Sequence, residues 1–152
     1  GLQGNTLCLF QYVEKHGQIL KEMIEEKADD KKIFYVHGGI EAEEREKIRF
    51  ITEKSDNAII VASFGTFSTG INIRNLHNIV FASPSKSKIR NLQSIGRGLR
   101  LGGNKDTATL FDIADDFSYK TYKNFTMNHF MERINIYSEQ DFDYEIHNVD
   151  LI

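Results

Sequence analysis

Short apolar runs alternate with amphipathic stretches along most of the chain. Five runs rich in Ile, Val and Phe stand out, namely TLCLF (6–10), KIFYVH (32–37), NAIIVAS (57–63), NIVFAS (78–83) and ATLFDI (108–113). Short runs with little polar alternation are typical of strands in a parallel sheet that is covered on both faces. We therefore predict five strands of such a sheet.

The segments between the first three runs have helical periodicity. Segment 14–27 places Leu20, Met23 and Ile24 on one face, with charged residues opposite. In the sequence EAEEREKIRFIT, Ile48 and Ile51 lie three residues apart within an otherwise charged surface. Because strands and helices alternate, we predict an α/β fold whose doubly wound sheet carries helices on both faces.

The last part of the chain has a different pattern. Segment 118–138 predicts one long helix with aromatic positions that include Tyr122 and Phe125, and the alternation of Phe142, Tyr144 and Ile146 predicts a half-exposed strand. The favoured interpretation is that these aromatic residues pack the helix and strand onto the sheet. The alternative is that some of them stack on nucleobases.

Composition narrows the class of protein. The 152 residues fit one domain, and a net charge of −3 argues against a dedicated, strongly basic nucleic-acid-binding module. Any nucleic-acid contact is then local or shared with another domain. The single cysteine, Cys8, lies in an apolar run and predicts a buried, inert thiol, with no zinc site. Because no secretory signal or membrane-spanning run is present, we expect a cytoplasmic protein.

Three polar clusters follow the second, third and fourth predicted strands, where open α/β sheets collect their ligands. The first is His37, Gly38 and Gly39, with Arg45 eight residues after His37. Paired glycines let the main chain approach a phosphate closely. A plain strand-to-helix turn is the alternative interpretation.

The second cluster, ASFGTFSTGINI, is rich in glycine and hydroxyl residues and includes Ser63, Thr66, Gly70 and Asn72. Hydroxyl and amide groups can donate to a phosphate backbone without steric bulk. A plain turn is again the alternative, although a turn does not need twelve residues of this composition.

The third cluster, NLQSIGRGLR, places Gln93, Arg97 and Arg100 on one side of a helix. Two guanidinium groups aimed at one point suit a phosphate. The alternative is a solvated basic face, but Gly96 and Gly98 weaken a helix without an evident structural gain.

In their order and spacing, these clusters resemble the second RecA-like domain of superfamily-two helicases. TLCLF resembles the motif IV strand, VHGG the histidine–glycine motif, ASFGTFSTGINI motif V, and QSIGRGLR the motif VI pattern QxxGRxxR. The resemblance covers roughly the first 115 residues. The amino-acid sequences of the motifs are most similar to those of recombination helicases of T-even bacteriophages. The resemblance implies a RecA-like domain over 1–152, with 118–152 as a C-terminal helix–strand extension.

The resemblance also implies roles for individual residues. Arg97 and Arg100 would be catalytic arginine fingers on the γ-phosphate of ATP, and Gln93 would sense the nucleotide across the cleft. Cofactor-binding residues would be Gly70, Asn72 and Gly96, and nucleic-acid-binding residues would be His37, Gly38, Arg45, Ser63 and Thr66. The chain departs from the family pattern at Asn72, where many members have Asp, and at Leu99, where many have Gly.

The chain has neither a GxxxxGK[ST] phosphate loop nor a DExH or DExD box. Asp112, Asp115 and Asp116 are interpreted as polar residues at a strand end, not as a metal pair. We therefore expect ATP with Mg²⁺ to be bound mainly by an upstream phosphate-loop domain on the same polypeptide, and this domain to be inactive alone. The expected partner is single-stranded or branched DNA, with RNA not excluded, in recombination or repair.

An α/β fold is also compatible with two other classes of function. A dinucleotide-binding or nucleotide-sugar-binding domain would need a GxGxxG turn after the first strand, and QYVEKHG there has none. A non-catalytic RecA-like module that only clamps nucleic acid or protein stays open. The arginine pair favours catalysis, because a clamp does not need it.

Overall fold

The computed structural model describes residues 2–68, 73–83, 108–116, 120 and 124–150. Within these residues five strands form one sheet: β1 Thr6–Phe10, β2 Lys32–Val36, β3 Ala58–Ser63, β4 Asn78–Phe81 and β5 Thr109–Asp112. Every strand lies inside one of the apolar runs, so the five strand predictions are confirmed.

The sheet is parallel, with the strand order β2-β3-β1-β4-β5. Strand β1 is central: Thr6 pairs with Ile59 of β3 on one side and with Asn78 of β4 on the other. All five residues of β1 are buried, because it has neighbours on both sides and covered faces above and below.

The described helices are α1 Gln18–Lys27, α2 Ala42–Glu53, α3 Phe64–Ser68 and α4 Phe125–Glu139, and a π-helical turn at Val13–Gly17 precedes α1. Along the sheet, the β1-to-β2 and β2-to-β3 connections run in opposite directions. Because such crossovers are right-handed, α1 and α2 lie on opposite faces. The prediction of a doubly wound sheet is therefore confirmed.

One face of the sheet is built around Cys8, Phe10 and Val61, with Leu20 and Ile24 of α1 packed against them. Burial raises the pKa of the Cys8 thiol to about 12, as expected for an inert cysteine. The prediction that Met23 shares the apolar face of α1 is wrong, since its side chain is 53% exposed. Met23 is adjacent in sequence to Ile24, so the 100° step between them turns it toward solvent.

At the amino ends of the strands, the fully buried Asn5 connects the sheet to neighbouring segments. Its side-chain amide donates to the carbonyl oxygens of Thr52 at 2.9 Å, Ser55 at 2.6 Å and Asn75 at 2.9 Å. Its Oδ1 accepts from the amide of Ala58 at 2.8 Å. One side chain thus joins the start of β1 to the end of α2, the start of β3 and the loop before β4.

The chain divides into two compact units, residues 1–113 with the sheet and residues 114–152. In the second unit, Asn124 caps α4, accepting from the amide of Met127 at 3.3 Å. The helix therefore begins later than the predicted residue 118, and it ends at Glu139. Its buried side chains are Arg133, Ile134 and Tyr137.

The C-terminal strand prediction is wrong, because residues 142–150 contain neither helix nor strand. Within the described residues no strand pairs with this segment, and its Tyr144 and Ile146 side chains are exposed. The packing interpretation also fails for Phe125, which is 82% exposed, but Tyr137 is buried and its ring lies 6.5 Å from that of Phe142. No helix of the described segments has the length and apolar character to cross a bilayer.

Candidate nucleic-acid interface at the carboxyl edge of the sheet

The carboxyl ends of the parallel strands bring the first two predicted polar clusters to one edge. Val36 pairs with Ala62, so His37 and Ser63 follow at equivalent positions of neighbouring strands. Phe10 pairs with Ser63, and the amide of Gln11 donates to Ser83 Oγ at 2.8 Å. The resulting row crosses four strands in the order His37, Ser63, Gln11 and Ser83.

A topological switch lies within this row. The connection that leaves β1 runs toward β2, whereas the connection that leaves β4 runs toward β5. Neighbouring strands whose connections diverge leave a crevice beyond their carboxyl ends, which is where open α/β sheets bind ligands. The Gln11–Ser83 hydrogen bond marks this point in the molecule.

The turn after β2 is ordered by His37. Its Nδ1 accepts from the amide of Gly39 at 3.2 Å, its carbonyl accepts from the amide of Ile40 at 3.1 Å, and its ring lies 5.1 Å from that of Tyr35. The Nδ1 contact assigns the ring proton to Nε2. Burial raises the pKa of the Tyr35 hydroxyl, which donates to the carbonyl of Val13 at 3.2 Å.

Gly38, in the same turn, has no local reason to be glycine. It is exposed, its φ is not positive, and a Cβ built on it would meet no heavy atom within 4 Å. Neither backbone conformation nor packing within the described residues requires it. The space that it leaves open suits close approach of a ligand to the main chain.

Arg45 lies in the first turn of α2, where its amide donates to the carbonyl of Glu41 at 3.1 Å. Its Nε is buried and has no hydrogen-bond partner in the described part of the chain. A cation in the first helical turn is electrostatically unfavourable, and a buried N–H without an acceptor costs about 1–3 kcal/mol. An anionic ligand beside Arg45 would relieve both effects.

Ser63 and Thr66 are brought together, but inside the protein. Their hydroxyl oxygens are 2.8 Å apart, Ser63 Oγ accepts from the amide of Thr66 at 3.2 Å, and the two residues are only 7% and 4% exposed. This is the N-cap geometry of α3. The residue that the turn exposes is Gly65, where an added Cβ would have no heavy atom within 4 Å.

The nucleotide-side residues predicted from the sequence lie outside the described residues, namely Gly70, Asn72, Gln93, Gly96, Arg97 and Arg100. The last four belong to segment 84–107, which comes between β4 and β5 in the sequence. The described residues include no group of His, Cys, Asp and Glu side chains able to hold a metal ion.

The residues after β1 lie at the same edge of the sheet, although no sequence motif marks them. Tyr12 follows Gln11 and is 52% exposed, and its ring makes an edge contact with that of His16, with centroids 5.2 Å apart. No periodicity in QYVEKHG marks these residues, and Gly17 gives the only local hint of close packing.

The fold and its carboxyl edge define a class of protein. Residues 2–102 match the family model described as helicase conserved C-terminal domain, and the chain therefore belongs to that family. This confirms the resemblance and the RecA-like architecture that it implied.

The chain is 36% identical over 157 residues to the ATP-dependent DNA helicase uvsW of Enterobacteria phage T4, with 97% of this chain and 31% of that protein covered. The crystal structure of T4 UvsW matches with a TM-score of 0.76 and 37% identity, over 93% of this chain and 30% of that one. Domain 2 of the DEAD-box helicase Mss116p, bound to an RNA duplex, shares the fold, with a TM-score of 0.60 at 19% identity over 74% of this chain and 43% of that one. The chain thus spans about a third of the curated relative that it matches.

Proposed function

We propose that this chain is the second motor domain of an ATP-dependent DNA helicase or translocase, working opposite a phosphate-loop domain of the same polypeptide. The observation that carries the proposal is the match of residues 2–102 to the helicase C-terminal family, with the first two motif sequences at the carboxyl ends of neighbouring strands. VHGG begins at the last residue of β2, ASFGTFS begins with the last two residues of β3, and QSIGRGLR comes between β4 and β5 in the sequence. An alternative is a non-catalytic RecA-like module that binds nucleic acid or protein.

The carboxyl edge would form part of the nucleic-acid track. His37 Nε2 would donate to a backbone phosphate, Gly38 would let the strand approach, and Arg45 would supply charge. The buried hydroxyls of Ser63 and Thr66 would shape the turn that presents Gly65. Because these contacts are to phosphates, binding would weaken steeply with salt.

The nucleotide would lie between the two motor domains. Arg97 and Arg100 would contact its γ-phosphate, with Gln93, Gly70, Asn72 and Gly96 completing this side of the cleft. Donor chemistry at the described edge fits an anionic ligand, since Arg45 and the exposed glycine turns after β2 and β3 lie there and no acidic metal-binding cluster occurs among the described residues. ATP with Mg²⁺ supplies the free energy of hydrolysis, and the arginines stabilise the charge on the transferred phosphoryl group.

The proposal is tested by DNA-stimulated ATP hydrolysis of the intact protein. Arg97→Ala and Arg100→Ala are each expected to lower kcat by about a thousandfold or more, because an arginine finger contributes that much. DNA affinity should stay close to that of the wild type. Arg49→Ala is the matched control, because Arg49 pairs with Glu46 and Glu53 on the surface of α2 and should leave turnover unchanged.

Unchanged turnover in both arginine variants would contradict a catalytic role and favour the non-catalytic module. The same assay with single-stranded DNA, branched DNA and RNA as stimulating polymers tests the substrate. The likeness to a DNA helicase supports DNA, in recombination, repair or the processing of branched structures. Stimulation by RNA alone would redirect the proposal to RNA.

A further inference from the structure

The residues after β1 have no role in the function proposed above, although they lie at the same edge. Gln11 is anchored to Ser83 across the switch, and Tyr12 follows with extended backbone dihedrals of φ −112° and ψ 118°. Tyr12 is 52% exposed, which places a large aromatic ring in solvent next to the crevice.

The ring of Tyr12 is held in place. His16 contacts it with centroids 5.2 Å apart and an interplanar angle of 66°, and Gln11 Nε2 donates to its hydroxyl at 3.3 Å. Edge-to-face contact is a favoured arrangement of two aromatic rings. A ring that is fixed in advance loses little conformational freedom when a ligand stacks on it.

The π-helical turn that presents Tyr12 is locked to the sheet. The carbonyl of Tyr12 accepts from the amides of His16 at 2.9 Å and Gly17 at 3.1 Å. Gly17 is buried, and a Cβ on it would come within 2.5 Å of both Phe10 Cζ and the Tyr35 hydroxyl. Single π-turns are rare and occur frequently at functional sites, so this one marks a candidate binding position.

A second observation points to a missing partner. His16 Nδ1 is buried and has no hydrogen-bond partner among the described residues. Buried polar atoms in native proteins nearly always have a partner, so this exception marks the His16 ring as a candidate functional group. This nitrogen belongs to the imidazole ring that contacts Tyr12.

We propose that Tyr12, supported by His16, is a stacking platform for one unpaired nucleobase of the bound strand. This rests on the proposed function, because it requires a nucleic-acid strand along the carboxyl edge. Stacking on an aromatic ring contributes about 1–3 kcal/mol per base and tolerates any base. Such a contact adds affinity that does not depend on charge, which suits a domain of net charge −3.

The test is the affinity of the intact protein for a labelled oligodeoxythymidylate and for an abasic strand of equal length. Tyr12→Ala is expected to weaken binding of the thymidylate strand by about 5- to 150-fold and to leave the abasic strand unaffected. Tyr12→Trp should retain wild-type affinity. Tyr144→Ala is the matched control, since Tyr144 is 47% exposed and lies away from the sheet in sequence.

Equal weakening for both strands would overturn the platform, since it would mean a backbone contact or a folding defect. A loss in Tyr144→Ala without one in Tyr12→Ala would assign stacking to the C-terminal segment instead. If the wild type binds but Tyr12→Ala binds equally well, the platform alone is wrong. If the wild type binds neither strand, the proposed function itself fails.

Discussion

Replacing Asn5 with alanine tests how the sheet is joined to its loops. The Asn5 side chain makes four hydrogen bonds within the core, three through Nδ2 and one through Oδ1. Asn5→Ala removes all four and leaves a small cavity in a fully buried position. We expect a large loss of stability with no change in the sheet itself.

The magnitude follows from which groups lose their last partner. The Thr52 carbonyl still accepts from the amide of Ser55 at 3.0 Å, and the Ser55 carbonyl still accepts from Asn75 Nδ2 at 3.1 Å. The buried amide of Ala58 loses the acceptor that Asn5 Oδ1 provided. That amide and the weakened Asn75 carbonyl together give a loss of about 3 kcal/mol in the free energy of unfolding.

The assay is urea unfolding followed by circular dichroism, with the midpoint and slope compared between variants. Asn57→Ala is the control, because the structure records no side-chain hydrogen bond for this half-buried asparagine within the described residues; it should cost under about 1 kcal/mol. Asn5→Asp should be at least as destabilising as Asn5→Ala at pH 7, since the introduced carboxylate faces three carbonyl oxygens.

Lowering the pH refines the same test. Burial and the facing carbonyls raise the pKa of the introduced carboxyl, so its protonated form is favoured in the folded state. Asn5→Asp should therefore recover part of its stability as the pH falls through this raised pKa toward about 4, whereas Asn5→Ala should not. If Asn5→Ala loses no more free energy of unfolding than Asn57→Ala does, the four hydrogen bonds of Asn5 do not stabilise the fold as expected.

Two further predictions concern the sheet. Gly17→Ala should destabilise the fold by about 1–3 kcal/mol, because the added Cβ overlaps Phe10 and Tyr35, whereas Gly38→Ala, with open space around it, should leave the unfolding midpoint unchanged. Equal midpoints for the two variants would contradict the packing at Gly17. Burial raises the pKa of the Cys8 thiol from 9.0 to about 12, so the resulting stabilisation is complete below pH 9 and is lost as the pH rises toward 12. Wild-type stability relative to Cys8→Ala should fall by up to about 1.4 kcal/mol per pH unit in that window, and a pH-independent difference in unfolding free energy would refute this.

The sequence was sufficient for the strands and for the class of protein. The five apolar runs are five strands. In a parallel sheet covered on both faces, the strands are buried on both sides, so a continuous apolar run is enough to identify the strand. The helices at 14–27 and 41–52 were also found, although the first opens as a π-turn. The motif order identified the family without any knowledge of strand neighbours.

Local periodicity failed where burial depends on a distant partner. The alternation around Tyr144 is compatible with a strand, but a strand needs a neighbouring strand to pair with, and residues 142–150 have none in the described part of the chain. Phe125 is apolar, yet it lies at the first position of α4 and is exposed. Neither outcome is encoded in the spacing of apolar residues alone.

Sequence by itself determined the five strands of the sheet, the helices between the first three strands, and the family to which the chain belongs. Only the tertiary structure decided the strand order that places His37, Ser63, Gln11 and Ser83 in one row, and the burial of the Ser63 hydroxyl. It also decided that Asn5 reaches residues about 50 and 70 positions away. The physical reason is that periodicity reports which side of an element is apolar, whereas neighbours are chosen by contacts between segments far apart in the chain.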